Sequence, residues 1–234
     1  MANENFEMRD STEIRCAIVN ACLAMSRESF FVGTWGNISV RTGEGLLVTP
    51  SRLPYDVMKP EDLVHISFAG KKLSGKRLPS SETELHRQIL LNCRYLNALI
   101  HVHSKSVMAL AALRKDLPVC TEEMAQILGA PAKCSPYVPG GRHSELALAV
   151  IGVMKGGMAC AAIMSNHGGI AGGRDLNEAM TAARVLEKSA AAYLAAAAVG
   201  KPKPIPSNMV REERNRYLHK YGVEDVTEQL TPQR

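Results

Sequence analysis

No run of this sequence is apolar enough, for long enough, to span a bilayer. The longest such stretch, Ser189 to Gly200, is mostly alanine, and it falls well short of the roughly 20 residues a spanning helix needs. The opening residues Met1-Ala2-Asn3-Glu4-Asn5 lack the basic-then-apolar order of an export signal. Neither membrane insertion nor secretion is expected, which leaves a cytoplasmic protein as the expectation. No Cys-x-x-Cys pair is present either. The six cysteines, Cys16, Cys22, Cys93, Cys120, Cys134 and Cys160, are scattered, mostly within apolar segments, so they read as small buried hydrophobes in a reducing compartment and not as a disulfide frame or zinc knuckle. Internal repeats are absent, and the one biased segment, the alanine run, reads as a close-packed helix face. A strong charge excess is missing too. The formal net charge is +5, and its basic clusters, Lys71-Lys72 with Lys76-Arg77 and the region Arg211 to Lys220, are short. Nucleic-acid binding is therefore not expected, whereas a mild basic surplus suits small anionic substrates such as sugar phosphates.

What is present is a chain of 234 residues, 46% hydrophobic and 22% charged, enough for one substantial globular domain. A first helix is predicted from about Ser11 to Ser26, with Asp10 or Ser11 as N-cap and Ile14, Ile18, Cys22 and Met25 at helical spacing. Short strands follow at Asn37 to Arg41, Leu46 to Thr49 and Leu63 to Phe68, an antiparallel meander punctuated by Gly43-Glu44-Gly45 and Gly70. A second helix should begin at Ser81, capped by Ser80, which puts Glu82 in its first turn. Beyond it come the strand Ala98 to His103, a helix from Ser104 to Leu113, a helix near Ser144 to Met154 and the strand Met158 to Met164. The loop Ser165-Asn166-His167-Gly168-Gly169, a long helix from Asp175 to Val199, and a tail helix from Met209 to Tyr221 with Gly222 as its cap complete the sequence.

His101 and His103 carry the clearest chemistry. If they end a strand, its period of two turns both imidazoles toward one face, the spacing a single ion needs from one segment. His167 in its loop can complete the set, and three neutral imidazoles leave a cation its full charge and an open position. No cysteine is placed to close the site as a structural zinc centre. His65, His86, His143 and His219 read as surface or locally satisfied histidines.

Taken in order, Gly36-Asn37-Ile38-Ser39-Val40-Arg41, Leu47-Val48-Thr49-Pro50-Ser51 with Pro54-Tyr55, Pro79-Ser80-Ser81-Glu82, His101-Val102-His103 and Asn166-His167-Gly168 resemble the motifs of the class II aldolase/adducin family. The resemblance spans most of the chain. It implies an α/β fold of three αβα layers around a largely antiparallel sheet. It implies a single domain over residues 1–234, whose tail from about 207 lies near a subunit interface in a homotetramer with active sites between neighbours. His101, His103 and His167 match the family's zinc ligands, one Zn2+ per subunit, with other divalent metals possible. Glu82 matches the acid/base carboxylate, Tyr221 the tail tyrosine that serves the aldehyde oxygen from a neighbouring subunit, and Gly36, Asn37, Ser51, Ser80 and Ser81 the phosphate cradle.

Two departures stand out. Arg52 replaces the usual glycine of the phosphate loop, where it can clamp phosphate or reshape the loop. The aldehyde-side aromatic residue of the family is missing from Thr121-Glu122-Glu123-Met124, which makes Glu122 or Glu123 face a different aldehyde or a neighbouring subunit. The implied activity is zinc-dependent cleavage of a ketose 1-phosphate, fuculose-like or a 5-deoxypentulose, into dihydroxyacetone phosphate and an aldehyde. Dehydration of a methylthioribulose 1-phosphate and decarboxylation of a phosphorylated 3-oxo acid are the alternative reactions, and a non-catalytic adducin-like module is the alternative role.

Overall fold

A computed structural model describes residues 10–154 and 159–219. The meander forms as its sequence predicts: β1 (Asn37–Arg41), β2 (Gly45–Val48), β3 (Val64–Ser67) and β4 (Lys72–Ser74) pair antiparallel in succession. With β5 (Ala98–Val102), β6 (Lys133–Ser135), β7 (Ala161–Met164) and β8 (Gly168–Gly173) they make one eight-stranded sheet in the order β4-β3-β2-β1-β5-β8-β7-β6. Only β6 and β7 run parallel, so the sheet is mixed and mostly antiparallel.

Seven α-helices are described among these residues: α1 (Thr12–Arg27), α2 (Thr83–Asn92), α3 (Lys105–Leu113), α4 (Glu122–Leu128), α5 (His143–Met154), α6 (Leu176–Val199) and α7 (Ser207–His219). The helices α2 and α5 pack together on one face of the sheet, and α1, α3 and α6 cover the other, with α4 and α7 stacked beyond α6. A sheet covered on both faces needs strands that are apolar throughout and not in alternation. That is why Ala98 to Val102 and Leu46 to Val48 are buried at every position. Caps set several helix starts: Ser11 accepts from the Ile14 amide, Thr121 from Met124 and Asp175 from Glu178.

Some expectations are corrected. The second helix starts at Thr83, not Ser81, and Glu82 is its N-cap residue with no capping hydrogen bond from its side chain. A turn comes first, because Thr83 donates its amide to the Ser80 carbonyl at 3.1 Å. Gly168 and Gly169 belong to β8, a glycine-rich strand that β-propensity does not announce. Within the described subunit the alanine run packs against nothing for most of its length: beyond Ala190 most of α6 is exposed. Of the cysteines, Cys22, Cys93 and Cys160 are buried, whereas Cys16 is exposed and Cys120 and Cys134 are half-buried. The tail helix lies on α4 with Val210 and Arg214 buried. Tyr221 and Gly222 fall outside the described residues. No described helix is long and apolar enough to cross a membrane.

Candidate metal centre and anion cradle

Strand register assembles the site. Asn37 on β1 stands opposite His101 on β5, and His101 stands opposite Ile170 on β8, which begins directly after His167. His103 lies just past the end of β5, where its amide donates to the Phe30 carbonyl at 3.0 Å. Gly168 admits the close approach of β8, since a Cβ there would sit 2.5 Å from the Val102 carbonyl oxygen. His167 is presented by a turn whose preceding residue, Asn166, is left-handed at φ 55° and receives a hydrogen bond from Arg114 to Oδ1 at 2.8 Å.

One ligand atom from each of His101, His103 and His167 lies within 4.8 Å of the others. Nε2 of His101 and Nε2 of His103 are 2.8 Å apart. The Glu82 carboxylate reaches into the same group, with Oε2 at 3.2 Å from His101 Nε2 and Oε1 at 3.1 Å from His167 Nε2. His101 fixes its own tautomer. Its Nδ1 lies 2.8 Å from the Gly169 carbonyl, an acceptor only, so Nδ1 carries the proton and Nε2 of the neutral ring keeps a lone pair. Lone pairs of imidazoles and a carboxylate converging on one point repel unless a cation joins them, and this donor set fits a divalent ion.

The electrostatics agree with that assignment. Burial pushes the His101 imidazole below its ordinary value, and burial with the neighbouring histidines lowers His103 to about 3. Both shifts favour the neutral ring, the form that ligates a metal. Burial alone would raise the Glu82 carboxyl, but His101, His167 and the Asn37 amide outweigh it and hold Glu82 well below the usual carboxylate range. Asn37 Nδ2 donates to Glu82 Oε2 at 2.8 Å, and Asn37 Oδ1 is buried with no partner among the described residues.

The cluster opens into a cleft of about 470 Å³ lined by Gly36, Asn37, Ser51, Arg52, Ser80, Ser81, Glu82, His103 and His167, among others. Two chain segments are pinned side by side to make the polar wall: the Ser51 amide donates to Leu78, the Ser80 amide to Thr49, and Pro50 pairs with Pro79. Every described residue predicted for the site therefore meets in one place, with His101 on the buried floor behind the cleft. Arg52 occupies a left-handed backbone position, φ 57°, which accounts for glycine being usual there. Its guanidinium has no hydrogen-bond or ion-pair partner among the described residues. Glu122 and Glu123 do not line this subunit's cleft; Glu123 pairs with Lys188 at 2.8 Å.

Sequence reasoning missed Trp35, Met108 and the cleft role of His143, all of which line the same space. His143 is not simply satisfied, because its Nδ1 is buried without a partner among the described residues. His65 and His86 are buried, not superficial, and bond to Thr42 and Ser39. A tryptophan beside the Gly-Asn turn was the one available signal.

A mixed sheet between helical layers, carrying a three-histidine and glutamate centre at the floor of a polar cleft, defines a class of metal-dependent enzyme. Residues 16–194 match the family model for the class II aldolase and adducin N-terminal domain, and the chain belongs to this family as an enzyme of the class II aldolase type. An L-fuculose phosphate aldolase of Haemophilus influenzae is 31% identical over 211 residues, 90% of this chain and 96% of the relative. A 5-methylthioribulose-1-phosphate/5-deoxyribulose-1-phosphate aldolase of Rhodospirillum rubrum is 32% identical over 208 residues, covering 89% and 90%. A solved L-fuculose 1-phosphate aldolase superposes with a TM-score of 0.84 at 27% identity, covering 89% of this chain and 97% of that one.

Proposed function

We propose that the protein is a zinc-dependent aldolase that splits a ketose 1-phosphate, fuculose-like or a 5-deoxypentulose, into dihydroxyacetone phosphate and an aldehyde. The observation that carries this reading is the Glu82 carboxylate, 3.2 Å from His101 and 3.1 Å from His167, on the floor of a cleft whose wall is an anion cradle. His101, His103 and His167 would hold the metal, which when bound supplies a Lewis acid for the charge that develops as a carbon–carbon bond breaks.

The chain's own residues do the rest. Gly36, Asn37, Ser51, Ser80 and Ser81 offer short hydroxyls, an amide and backbone N–H groups to the phosphate, and Arg52, whose guanidinium has no partner among the described residues, adds a positive side chain. Glu82 carries the proton exchanged at the carbon of the dihydroxyacetone phosphate half, within reach of the reacting end and held in place by Asn37. Tyr221 handles the proton on the aldehyde oxygen from a neighbouring subunit. Residues 1–234 form a single domain in a cytoplasmic homotetramer, with the tail from about 207 near the subunit contact.

The test is dihydroxyacetone phosphate release from a panel of ketose 1-phosphates, with and without a chelator. Chelator-sensitive release is expected. No release from metal-loaded protein would move the reading to the dehydratase or the decarboxylase, which share the metal but yield no dihydroxyacetone phosphate.

A further inference from the structure

His103 leaves β5 and His167 leads into β8, and one helix is joined to both segments. α3 opens directly after His103, with Ser104 as its N-cap residue. A serine there ordinarily accepts from the amide two or three residues on. Ser104 does not: its side chain makes no capping hydrogen bond, and its Oγ is buried without a partner among the described residues. Those amides go instead to Glu187, a half-buried residue of α6. The Ser106 amide donates to Glu187 Oε1 at 2.9 Å and to Oε2 at 3.1 Å, and the Val107 amide donates to Oε2 at 3.0 Å. A carboxylate suits the positive end of a helix dipole, and this one ties the first turn of α3 to a helix far away in the chain.

The far end of α3 holds the turn that carries His167. The Asn166 amide donates to the Ala111 carbonyl, in the last turn of the helix, at 2.9 Å. Arg114, the C-cap residue at φ 51°, donates from Nε to Asn166 Oδ1 at 2.8 Å, and its guanidinium lies 5.3 Å from the centroid of the Tyr137 ring. The His167 amide then closes the turn on the Met164 carbonyl at 3.0 Å. His101, by contrast, is fixed within β5 by sheet pairing and by its Nδ1 bond to Gly169. A shift of α3 would therefore displace His103 at one end and the His167 turn at the other, both relative to His101. A metal site tolerates only about 0.5 Å of such displacement.

We propose that α3 is the bracket that sets His103 and His167 for one metal ion, with Glu187 and Arg114 as positioning residues at its two ends. Neither residue lines the cleft, so each acts on the metal through the helix and not by contact. This rests on the metal reading of the three histidines and is independent of which sugar phosphate is cleaved.

The experiment needs no turnover. Zinc affinity of the full chain is measured by competition with a chromophoric chelator, beside the visible absorption of the Co2+-loaded protein, which reports ligand geometry. Glu187→Ala and Arg114→Ala should each weaken zinc binding about tenfold, the lower end of what support around metal ligands contributes, and each should alter the Co2+ bands. Glu187→Gln keeps an acceptor oxygen, so it should recover part of the affinity, and it carries the measurement if the alanine variant does not fold. Thr121→Ala is the control, since it removes the cap of α4, whose residues do not line the cleft. It should lower the melting temperature of the metal-free protein yet leave affinity and spectrum unchanged. Unaltered affinity and spectrum in the Glu187 and Arg114 variants, whatever their melting temperatures, overturn the bracket. An effect confined to one end of α3 overturns it too, as does equal weakening by Thr121→Ala, which would make the loss a general result of destabilisation. If the unsubstituted protein binds neither zinc nor cobalt, the metal reading fails and the bracket with it, whereas binding that the variants leave intact removes the bracket alone.

Discussion

Glu82 and His103 sit within one cluster, the proposed function gives them different work, and substitution separates the two roles. Glu82→Gln keeps the shape and removes the charge, so metal content should persist while turnover falls about 10²- to 10⁴-fold, the usual contribution of a positioned acid/base. His103→Ala removes a ligand, and metal and turnover should disappear together. Metal analysis beside an aldolase assay checks both, and equal metal loss in the two variants would sink the role given to Glu82. Arg52 is a bulky residue at φ 57°, a conformation that costs about 1 kcal/mol and persists where something gains from it. Arg52→Gly should raise the melting temperature slightly and raise KM for the phosphorylated substrate, with kcat changing less. His86 is fully buried with Nε2 unpaired among the described residues, and burial lowers its pKa from 6.5 to about 3. Between those values the unfolded chain binds a proton that the folded chain refuses, so stability falls as pH drops from about 6.5 toward 3. In urea unfolding across that window, His86→Gln should flatten the slope by up to one proton, about 1.4 kcal/mol per pH unit. Parallel curves would remove His86 from the acid response.

At the scale of elements, the site depends on the ends of strands and the tight loops between them. The pairing of β1, β5 and β8 sets Asn37 opposite His101 and brings the turn that carries His167 beside them, and a slip of one residue would turn Asn37 or His101 to the opposite face. Gly36 is the most constrained of the loop positions. Gly36→Ala would force a Cβ against Phe31 while demanding φ 114° of an L side chain, so it should lower the melting temperature by several degrees and weaken substrate binding; unchanged unfolding would show that the loop can yield. The meander β1 to β3 was legible because short strand-forming runs bounded by glycine turns leave little else for those residues to do. β8 was not legible, since Gly-Gly-Ile-Ala-Gly-Gly has poor strand propensity and is a strand through its pairing with β5 and β7. The start of α2 was misplaced by two residues because Ser80 looks like a cap, although its hydroxyl accepts only from the Glu82 amide at 3.3 Å while the backbone turns.

For the whole molecule, the described subunit leaves the alanine-rich end of α6 exposed, with Val199 90% open, and Leu148 and Leu78 are similarly bare. The proposed tetramer gives such surfaces a place to go. Light scattering should return about four times the 25.4 kDa of the chain, and chelation should lower the melting temperature because ligand binding to the folded state alone stabilises it. A monomer fully active in dilute solution would remove Tyr221 of a neighbour from the mechanism.

The sequence by itself determined the kind of chemistry. His-x-His at a strand end, a third histidine in a glycine-bounded loop, and Ser-Ser-Glu before a helix are local patterns, and their spacing follows from strand and helix periodicity. The antiparallel opening and the capped helices were equally local. What only the tertiary structure decided is how those pieces face each other: the Glu82 carboxylate turned inward between two imidazoles, Trp35 held against His103, and Arg52 left without a partner among the described residues. Each of these follows from pairing between segments far apart in the chain, where register, burial and close approach set the direction of a side chain.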